Sequence, residues 1–270
     1  MGASRAAASI STSIPLRGTS RLTDSAVCLV SEGSATPAHL ERLLKRLRNT
    51  ARRVLIAVEG AYSMDGDLAP LAGLVELKKR YGALLFVDEA HSIGCVGPTG
   101  RGLGELANVD RGDVDVWMGT LSKSLASCGG YVAGTKTLIE MLKYKSDGFV
   151  YAAVISPANA AAALTALGIL EKEPHRALAV QRNAARFLQL CRERGVDTAT
   201  SENTPIVPAI LGSSVRCLLV AESLRLDGIN APPILSPAVE EGRARLRFFV
   251  SALHAEEQLV QTADSLARAL

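Results

Sequence analysis

The sequence predicts an α/β protein with a doubly wound, mainly parallel sheet and a smaller α+β domain at its C-terminal end. The first observation is a set of short, wholly apolar segments, typical of strands buried on both faces, at residues 53–58, 83–87, 115–118 and 130–133. The second is that helical patterns separate the earlier strands, the alternation found in parallel sheets. The third is a change after about Pro157, where long helices precede short strands.

The helices of the first part follow from apolar spacing and from their end signals. Thr36 is a candidate N-cap, and leucines then recur at helical spacing from Leu40 to Leu47. The segment 68–81 repeats leucine and valine at the same spacing. It ends with the basic residues 78–80, which the negative end of the helix dipole favours.

The second part is expected to hold a long helical region and a small mixed domain. The helical region covers 158–194 and is interrupted at Pro174, because proline does not continue a helix. Strands are predicted at 205–210, 215–219 and 245–251, and a helix closes the chain.

Three regions are therefore expected along the chain: an irregular segment at 1–35, a large domain at 36–157, and a linking helix with a small domain at 158–270. Residues 1–23 combine arginines with many serines and alanines and contain no acid. This composition fits an organellar transit peptide, and an unstructured start is the simpler interpretation. We expect a cytoplasmic protein, with an organelle as the alternative.

Composition excludes several classes of function. The 270-residue chain has a net charge of only +3, and no basic block is interleaved with aromatic residues, so a nucleic-acid partner is not expected. The longest apolar stretch, 160–170, is too short and too rich in alanine to span a bilayer. Five scattered cysteines without CxxC spacing indicate reduced thiols, and neither a disulfide framework nor a metal site is expected.

Polar residues follow two of the predicted strands at the point where each strand ends. Asp88 and His91 come after one strand, and Thr120 and Lys123 after the next. In a doubly wound sheet the ligand lies beyond the carboxyl ends of the strands, so these side chains are expected to share a pocket. A lysine amine, a carboxylate and hydroxyl groups are the parts that a pyridoxal phosphate site needs, for the aldehyde, the pyridine nitrogen and the phosphate.

Each residue also has a plainer interpretation. Most lysines lie at the surface, a carboxylate after a strand often caps the next segment, and a lone histidine is more often structural than catalytic. The letters DEAH at 88–91 also spell the acidic box of helicases. That function requires a GxxxxGK[S/T] loop upstream, which this sequence lacks, so the helicase interpretation fails.

Five motifs in order resemble the α-oxoamine synthase family, over roughly residues 37–268. They are EGAYSMDGD at 59–67, VDEAHS at 87–92, the glycine-rich 97–104, GTLSK at 119–123 and ARLRFF at 244–249. The resemblance implies a fold-type I pyridoxal phosphate transferase. It also implies a decarboxylative condensation, in which an amino acid attacks an acyl thioester, carried by coenzyme A or a carrier protein, and gives a 2-aminoketone.

The resemblance also implies roles for individual residues. Lys123 forms the Schiff base with pyridoxal phosphate and then moves the α-proton, and Asp88 pairs with the pyridine nitrogen. His91 and Ser63 contact the ring side of the cofactor, and Thr120 contacts its phosphate. His91 is also expected to take part in catalysis by polarising the substrate carbonyl.

Arg247 is implied to hold the carboxylate of the amino acid, a bidentate task that suits a guanidinium group. The family further implies a homodimer with its active site at the subunit interface. Two alternatives remain, an aminotransferase of the same fold and a degenerate partner subunit without activity. Such subunits typically lose the lysine that this chain retains.

Several departures from the family pattern accompany the resemblance. The chain is expected to be truncated at its N-terminal side, because nothing in 1–33 resembles the glycine-rich phosphate segment or the histidine that stacks on the cofactor ring. Ala152 stands where relatives usually place a serine or threonine. Leu235, Ser236 and Pro237 replace an Arg-Pro-Pro sequence, which disfavours the oxononanoate synthase and palmitoyltransferase subtypes.

Overall fold

The structure is a computed structural model that describes residues 25–29, 36–49, 51–153, 155–202 and 204–270. The first sheet contains β1 (Ser25–Leu29), β2 (Arg53–Glu59), β3 (Leu84–Asp88), β4 (Val116–Thr120) and β5 (Gly130–Gly134), in that spatial order. Its helical elements are α1 (Pro37–Leu47), α2 (Leu71–Tyr81), α3 (Leu103–Leu106), a 3-10 turn (Arg111–Asp113), α4 (Lys136–Lys145) and α5 (Asp147–Val150).

The remaining elements form the second half of the chain: α6 (Pro157–Lys172), α7 (His175–Glu193), β6 (Ile206–Gly212), α8 (Ser214–Leu226), β7 (Pro233–Ile234), β8 (Ala244–Phe249) and α9 (Glu256–Ala269). Their antiparallel sheet has the order β6-β8-β7. Buried apolar residues form two separate clusters, one within 40–114 and the other within 184–266. The expected domain boundary near residue 157 stays a prediction.

The first sheet confirms the predicted fold class. Strands β1 to β4 run parallel, and β5 pairs antiparallel with β4. The register places Glu59 beside Asp88, and Asp88 beside Met118. The carboxyl ends of β2, β3 and β4 therefore meet at one edge, where the sequence predicts the pocket.

The predicted helices of the first part are present, with one shifted boundary. The hydroxyl of Thr36 accepts a hydrogen bond of 3.3 Å from the amide of His39, so it caps α1 as expected. Helix α2 begins at Leu71 rather than at Leu68, because Leu68 pairs with Ala61 in an isolated β-bridge. Pro70, between them, marks the boundary and occupies the N-cap position.

The strand predicted at 215–219 is wrong, because these residues lie in α8. Cys217, Val220 and Leu224 are buried along this helix, whereas Leu218 and Leu219 are exposed. Burial recurs every three to four residues, as in a helix packed on one side. A short apolar run does not by itself distinguish this pattern from a buried strand.

The segment 1–35, expected to be irregular, contains β1, which pairs with β2 along its whole length. The sequence of β1, SAVCL, is a short apolar run of the kind that predicted the other strands. The rest of this segment, including the acid-free 1–23, lies outside the described residues.

Candidate active site

The site lies at the carboxyl ends of β2, β3 and β4, where Glu59, Asp88 and Thr120 stand at or near the last positions of adjacent strands. Asp88 is half-buried, and its Oδ1 accepts a hydrogen bond of 2.8 Å from the amide of Ala90. This bond orients the carboxylate at the start of the loop that carries His91. The predicted proximity of the strand-end residues is therefore present in the structure.

The neighbouring residue Glu89 organises the loops around the site. Its side chain is 2 % exposed and accepts hydrogen bonds from the Ser92 hydroxyl and from the amides of Leu103 (3.0 Å) and Gly104 (3.1 Å). Burial raises the pKa of this carboxyl. A Cβ at Gly102, where φ is +89°, would lie 2.6 Å from Glu89 Oε2, so the loop closes tightly on the carboxylate. No pattern in the sequence indicated this role for Glu89.

Replacing Glu89 by glutamine is expected to destabilise the protein by roughly 2–4 kcal/mol, measured by urea unfolding. Both carboxylate oxygens accept a backbone N–H, so either orientation of the new amide sets its NH2 group against a donor. Glu222→Gln is the matched control, because Glu222 is exposed and its ion pair with Arg225 is expected to contribute little to stability. Similar midpoints for the two variants would contradict the expectation.

Lys123 lies in the exposed loop that follows β4. The loop is closed by a hydrogen bond of 2.9 Å from the amide of Leu121 to the carbonyl of Gly129, which also accepts from the Thr120 hydroxyl at 3.1 Å. The Thr120 hydroxyl lies 2.8 Å from that of Ser122. The structure thus gathers two hydroxyl groups beside the lysine, as the sequence predicts.

The charge of Lys123 acts on residues from both neighbouring loops. Together with burial, which has the larger effect, it lowers the pKa of His91, and it opposes the rise that burial imposes on the pKa of Glu59. Asp88 in turn contributes to raising the pKa of Glu59. These mutual effects bring the predicted Lys123, Asp88 and His91 into one electrostatic neighbourhood.

His91 is neutral at pH 7. Burial of its ring, with the charges of Lys123 and Arg247, lowers its pKa to about 4. Its ring is stacked on that of Phe249, with centroids 6.4 Å apart and planes 10° from parallel. A neutral imidazole has one N–H donor and one acceptor, so His91 is suited to hydrogen bonding rather than to ion pairing.

Ser63 and Arg247 meet at the junction of the two halves of the chain. The amide of Ser63 donates to Glu59 Oε2 at 3.0 Å, and its carbonyl accepts from Arg247 Nη1 at 2.9 Å. The Arg247 guanidinium carbon lies 4.8 Å from the centroid of the Phe249 ring, in a cation–π contact. Strand β8 thus brings the predicted carboxylate-binding arginine to the edge that carries His91.

Three residues around the site, Arg245, Phe249 and Tyr131, make contacts that no sequence pattern was used to predict. Arg245 forms a buried ion pair with Asp65, and Phe249 contacts both His91 and Arg247. Tyr131 on β5 packs over Gly119, where a Cβ would lie 2.5 Å from the ring. For Arg245 and Phe249, the strand periodicity of ARLRFF was an available signal, since residues 245, 247 and 249 share one face of β8.

Asp67 is a second unusual carboxylate at this junction. Its Oδ1 is buried without a hydrogen-bond partner among the described residues. Burial raises its pKa from 3.8 to about 6, and the nearby Asp65 and Glu202 contribute to the rise. The folded protein therefore holds a proton at Asp67 more tightly than the unfolded chain does.

The contribution of Asp67 to the free energy of unfolding is expected to fall as the pH rises from about 4 to about 6, because the folded state holds the Asp67 proton more tightly across this range. Asp67→Asn is expected to remove this contribution and to stabilise the protein at pH 7.5 by about 1–2 kcal/mol, after allowance for solvent screening. Urea unfolding at pH 4.5 and pH 7.5 measures both effects. An unchanged pH dependence in the variant would count against the assignment.

The donor set at this edge fits pyridoxal phosphate. A carboxylate on a strand end suits a protonated pyridine nitrogen, an exposed lysine amine suits an aldehyde, and the paired hydroxyls of Thr120 and Ser122 suit a phosphate. Within the described residues, no group of three or more histidine, cysteine, aspartate or glutamate side chains is placed to hold a metal ion.

Comparison with known proteins agrees with this chemistry. The family model described as aminotransferase class I and II matches residues 21–266. The 8-amino-7-oxononanoate synthase of Symbiobacterium thermophilum is 41 % identical over 229 residues, which are 85 % of this chain and 58 % of that protein. The same-named protein of Geobacter sulfurreducens is 41 % identical over 231 residues, with coverage of 85 % and 58 %.

Solved structures give the same relationship. Sphingomonas wittichii serine palmitoyltransferase superposes with a TM-score of 0.80 at 31 % identity, covering 87 % of this chain and 59 % of that one. A structure of SPT with a PLP internal aldimine gives 0.80 at 28 % identity, with the same coverage. The 8-amino-7-oxononanoate synthase of Francisella tularensis, at 21 % identity and a TM-score of 0.75, shares the fold.

The chain spans a little under three fifths of the length of the two curated relatives and of the two serine palmitoyltransferase structures. These relatives are named as oxononanoate synthases and serine palmitoyltransferases, the two subtypes that residues 235–237 were expected to disfavour. The comparisons therefore do not support that expectation. The matched family and the site geometry agree: this chain belongs to the aminotransferase class I and II family, among the α-oxoamine synthases.

Proposed function

We propose that this chain carries the catalytic site of a pyridoxal phosphate-dependent acyltransferase, which condenses an amino acid with an acyl thioester, releases carbon dioxide and gives a 2-aminoketone. The supporting observation is that Lys123, Asp88, His91 and Arg247 converge at one sheet edge, from the ends of two neighbouring strands, β3 and β4, and from β8. The relatives' names, 8-amino-7-oxononanoate synthase and serine palmitoyltransferase, favour this class.

The cofactor would be held by residues at or just after the ends of β2, β3 and β4. Asp88 would pair with its ring nitrogen, Thr120 would contact its phosphate, and His91 and Ser63 would lie at its ring. When bound, pyridoxal phosphate supplies an electron sink for the charge that develops at the α-carbon of the amino acid. Asp88 keeps this sink effective, because a carboxylate beside the nitrogen favours the protonated ring.

Lys123 and His91 would divide the proton transfer and the polarisation. Lys123 lies on an exposed loop, so its amine can move between the cofactor aldehyde and the α-proton of the substrate. His91 is neutral at working pH, so it can donate a hydrogen bond to the acyl carbonyl without adding a second cation to the site.

Arg247 would bind the carboxylate of the amino acid. Its Nη1 is fixed by the Ser63 carbonyl and its plane by the Phe249 ring, so the guanidinium is held in place before substrate arrives. Preorganisation of this kind reduces the entropy lost on binding. The same arginine would orient the amino acid so that its α-carbon faces Lys123.

The assembly and the location of the protein are further parts of the proposal. Exposed apolar side chains on α4 to α6, including Tyr144, Tyr151 and Leu164, are consistent with a homodimer whose active site lies at the subunit interface. Within the described residues, no helix combines the length and hydrophobicity that crossing a bilayer requires. We propose the cytoplasm as its location, with an organelle as the alternative.

One assay separates the three functional candidates. The purified chain is mixed with pyridoxal phosphate, glycine, alanine or serine, and a series of acyl-coenzyme A esters, while thiol release and carbon dioxide are measured. The acyltransferase requires both products in equal amounts, and only when the amino acid and the cofactor are present. In a parallel mixture with an added 2-keto acid as amino acceptor, an aminotransferase would convert the amino acid into its keto acid with no thiol release, and an inactive partner subunit would give neither reaction.

A further inference from the structure

We propose that the buried Asp65–Arg245 pair is a positioning device that sets Arg247 for the α-carboxylate of the amino-acid substrate, an inference that rests on the proposed function. Neither residue is expected to touch substrate. Their effect would pass through strand β8, which carries both arginines.

The pair is fully enclosed at the junction between the two halves of the chain. Arg245 is 3 % exposed, and its Nη1 donates to the Asp65 carboxylate and, at 3.2 Å, to the carbonyl of Met64. Its Nε donates to the carbonyl of Arg243 at 3.2 Å. A guanidinium group is planar and rigid, so these bonds fix its orientation as well as its position.

Because Arg245 and Arg247 lie in the same strand, β8, the position of Arg245 affects the position of Arg247. Arg247 lies two residues further along β8, on the same face, and donates to the carbonyl of Ser63 at 2.9 Å. The two arginines therefore hold the adjacent carbonyls of Ser63 and Met64, in the turn of residues 62–66 that follows β2. If Arg245 moves, the register of β8 against this turn is lost, and the anchor of Arg247 moves with it.

The turn is also held from its other side, so it serves as a fixed reference. The Gly66 carbonyl accepts hydrogen bonds from the Thr204 hydroxyl at 2.7 Å and from the amide of Glu202 at 3.1 Å. Gly66 has a φ of +71°, and a Cβ there would overlap the carbonyl oxygen of Ile206. The C-terminal half of the chain thus contacts this turn at two places, the Gly66 carbonyl and the Asp65–Arg245 pair.

A purely stabilising role is a weak explanation for such a pair. Removing two charges from water costs about as much as their attraction returns, so a buried ion pair adds little net stability compared with apolar residues of similar volume. Its geometry, by contrast, is highly directional. The pair is therefore better explained by what it orients, and the nearest functional group on its strand is Arg247.

The test uses Arg245→Met and the double variant Asp65→Asn/Arg245→Met, which leaves no unpaired buried charge if the single variant folds poorly. Arg247→Met is the benchmark, and Arg225→Met removes an exposed ion pair as the matched control. The first readout needs no cofactor: the His91 ring is titrated by NMR and assigned with His91→Gln. Arg247 is one of the charges that lower the pKa of His91, so a displaced Arg247 is expected to raise that pKa.

The second readout compares glycine with glycinamide in the pyridoxal phosphate-loaded protein, by the concentration that gives a half-maximal spectral change. In Arg245→Met and the double variant, the preference for the carboxylate is expected to fall at least about tenfold, as in Arg247→Met. Arg225→Met should change neither readout.

A lower unfolding temperature with an unchanged His91 titration would show that the pair is only structural, and would overturn the proposal. An unchanged glycine-to-glycinamide ratio would also overturn it, whatever the titration shows. If the wild-type protein binds no pyridoxal phosphate, the proposed function fails instead. The NMR titration then decides by itself whether Arg245 positions Arg247.

Discussion

Lys123→Ala is expected to abolish the borohydride-stable link between pyridoxal phosphate and the protein and to lower acyl-thioester turnover by at least about 10³-fold. Lys123 is proposed to bind the cofactor aldehyde and to move the α-proton, so one substitution removes two functions. Mass spectrometry of the reduced and digested protein measures the first effect, and thiol release measures the second.

The matched control for this substitution is Lys172→Ala, because Lys172 is also exposed but lies at the end of α6. It is expected to retain the cofactor link and full turnover. A cofactor-modified peptide that persists in Lys123→Ala and maps to another lysine would show that the site has been assigned to the wrong residue.

Arg247→Met is expected to raise the amino-acid concentration for half-saturation about 100-fold, with little change for the acyl thioester. A hydrogen-bonded charge pair with a carboxylate contributes about 1.5–3 kcal/mol, which corresponds to roughly 10- to 150-fold in affinity. Steady-state kinetics with each substrate varied in turn measure the two constants separately.

Arg247→Lys refines this expectation. Lysine keeps the positive charge but loses the planar pair of donors, so an intermediate increase of about tenfold is expected. Arg243→Met, at an exposed position just before the same strand, is the control and should leave both constants unchanged. Equal effects on the amino acid and on the acyl thioester would show that Arg247 supports the fold rather than the carboxylate.

The sequence was sufficient to predict that the candidate site residues of two strands lie at one edge of the sheet. Asp88, His91, Thr120 and Lys123 follow local strands, and parallel topology alone brings strand ends together. Arg247 is different, because it comes from a distant strand, and only the resemblance to a known family indicated it. No local pattern shows which turn a distant strand will contact.

The other residues and elements were missed for a similar reason: local sequence patterns do not show contacts between distant parts of the chain. Glu89 owes its role to amides that fold back from the 97–104 loop, and Asp65 owes its role to a partner 180 positions away. The antiparallel direction of β5 leaves no trace in hydrophobicity, because burial does not depend on strand direction. The run at 215–219 was too short for its period to be determined.

Strand β8 links the second buried apolar cluster to the arginine proposed to bind the substrate carboxylate. Leu246 and Phe248 on one face are buried in the core, whereas Arg245, Arg247 and Phe249 on the other face contact the site and its supporting turn. A one-residue insertion or deletion in this strand would exchange the two faces, burying the arginines among apolar side chains. The spacing within β8 is therefore subject to two demands at once, and its length is far less free to vary than the identity of its core residues.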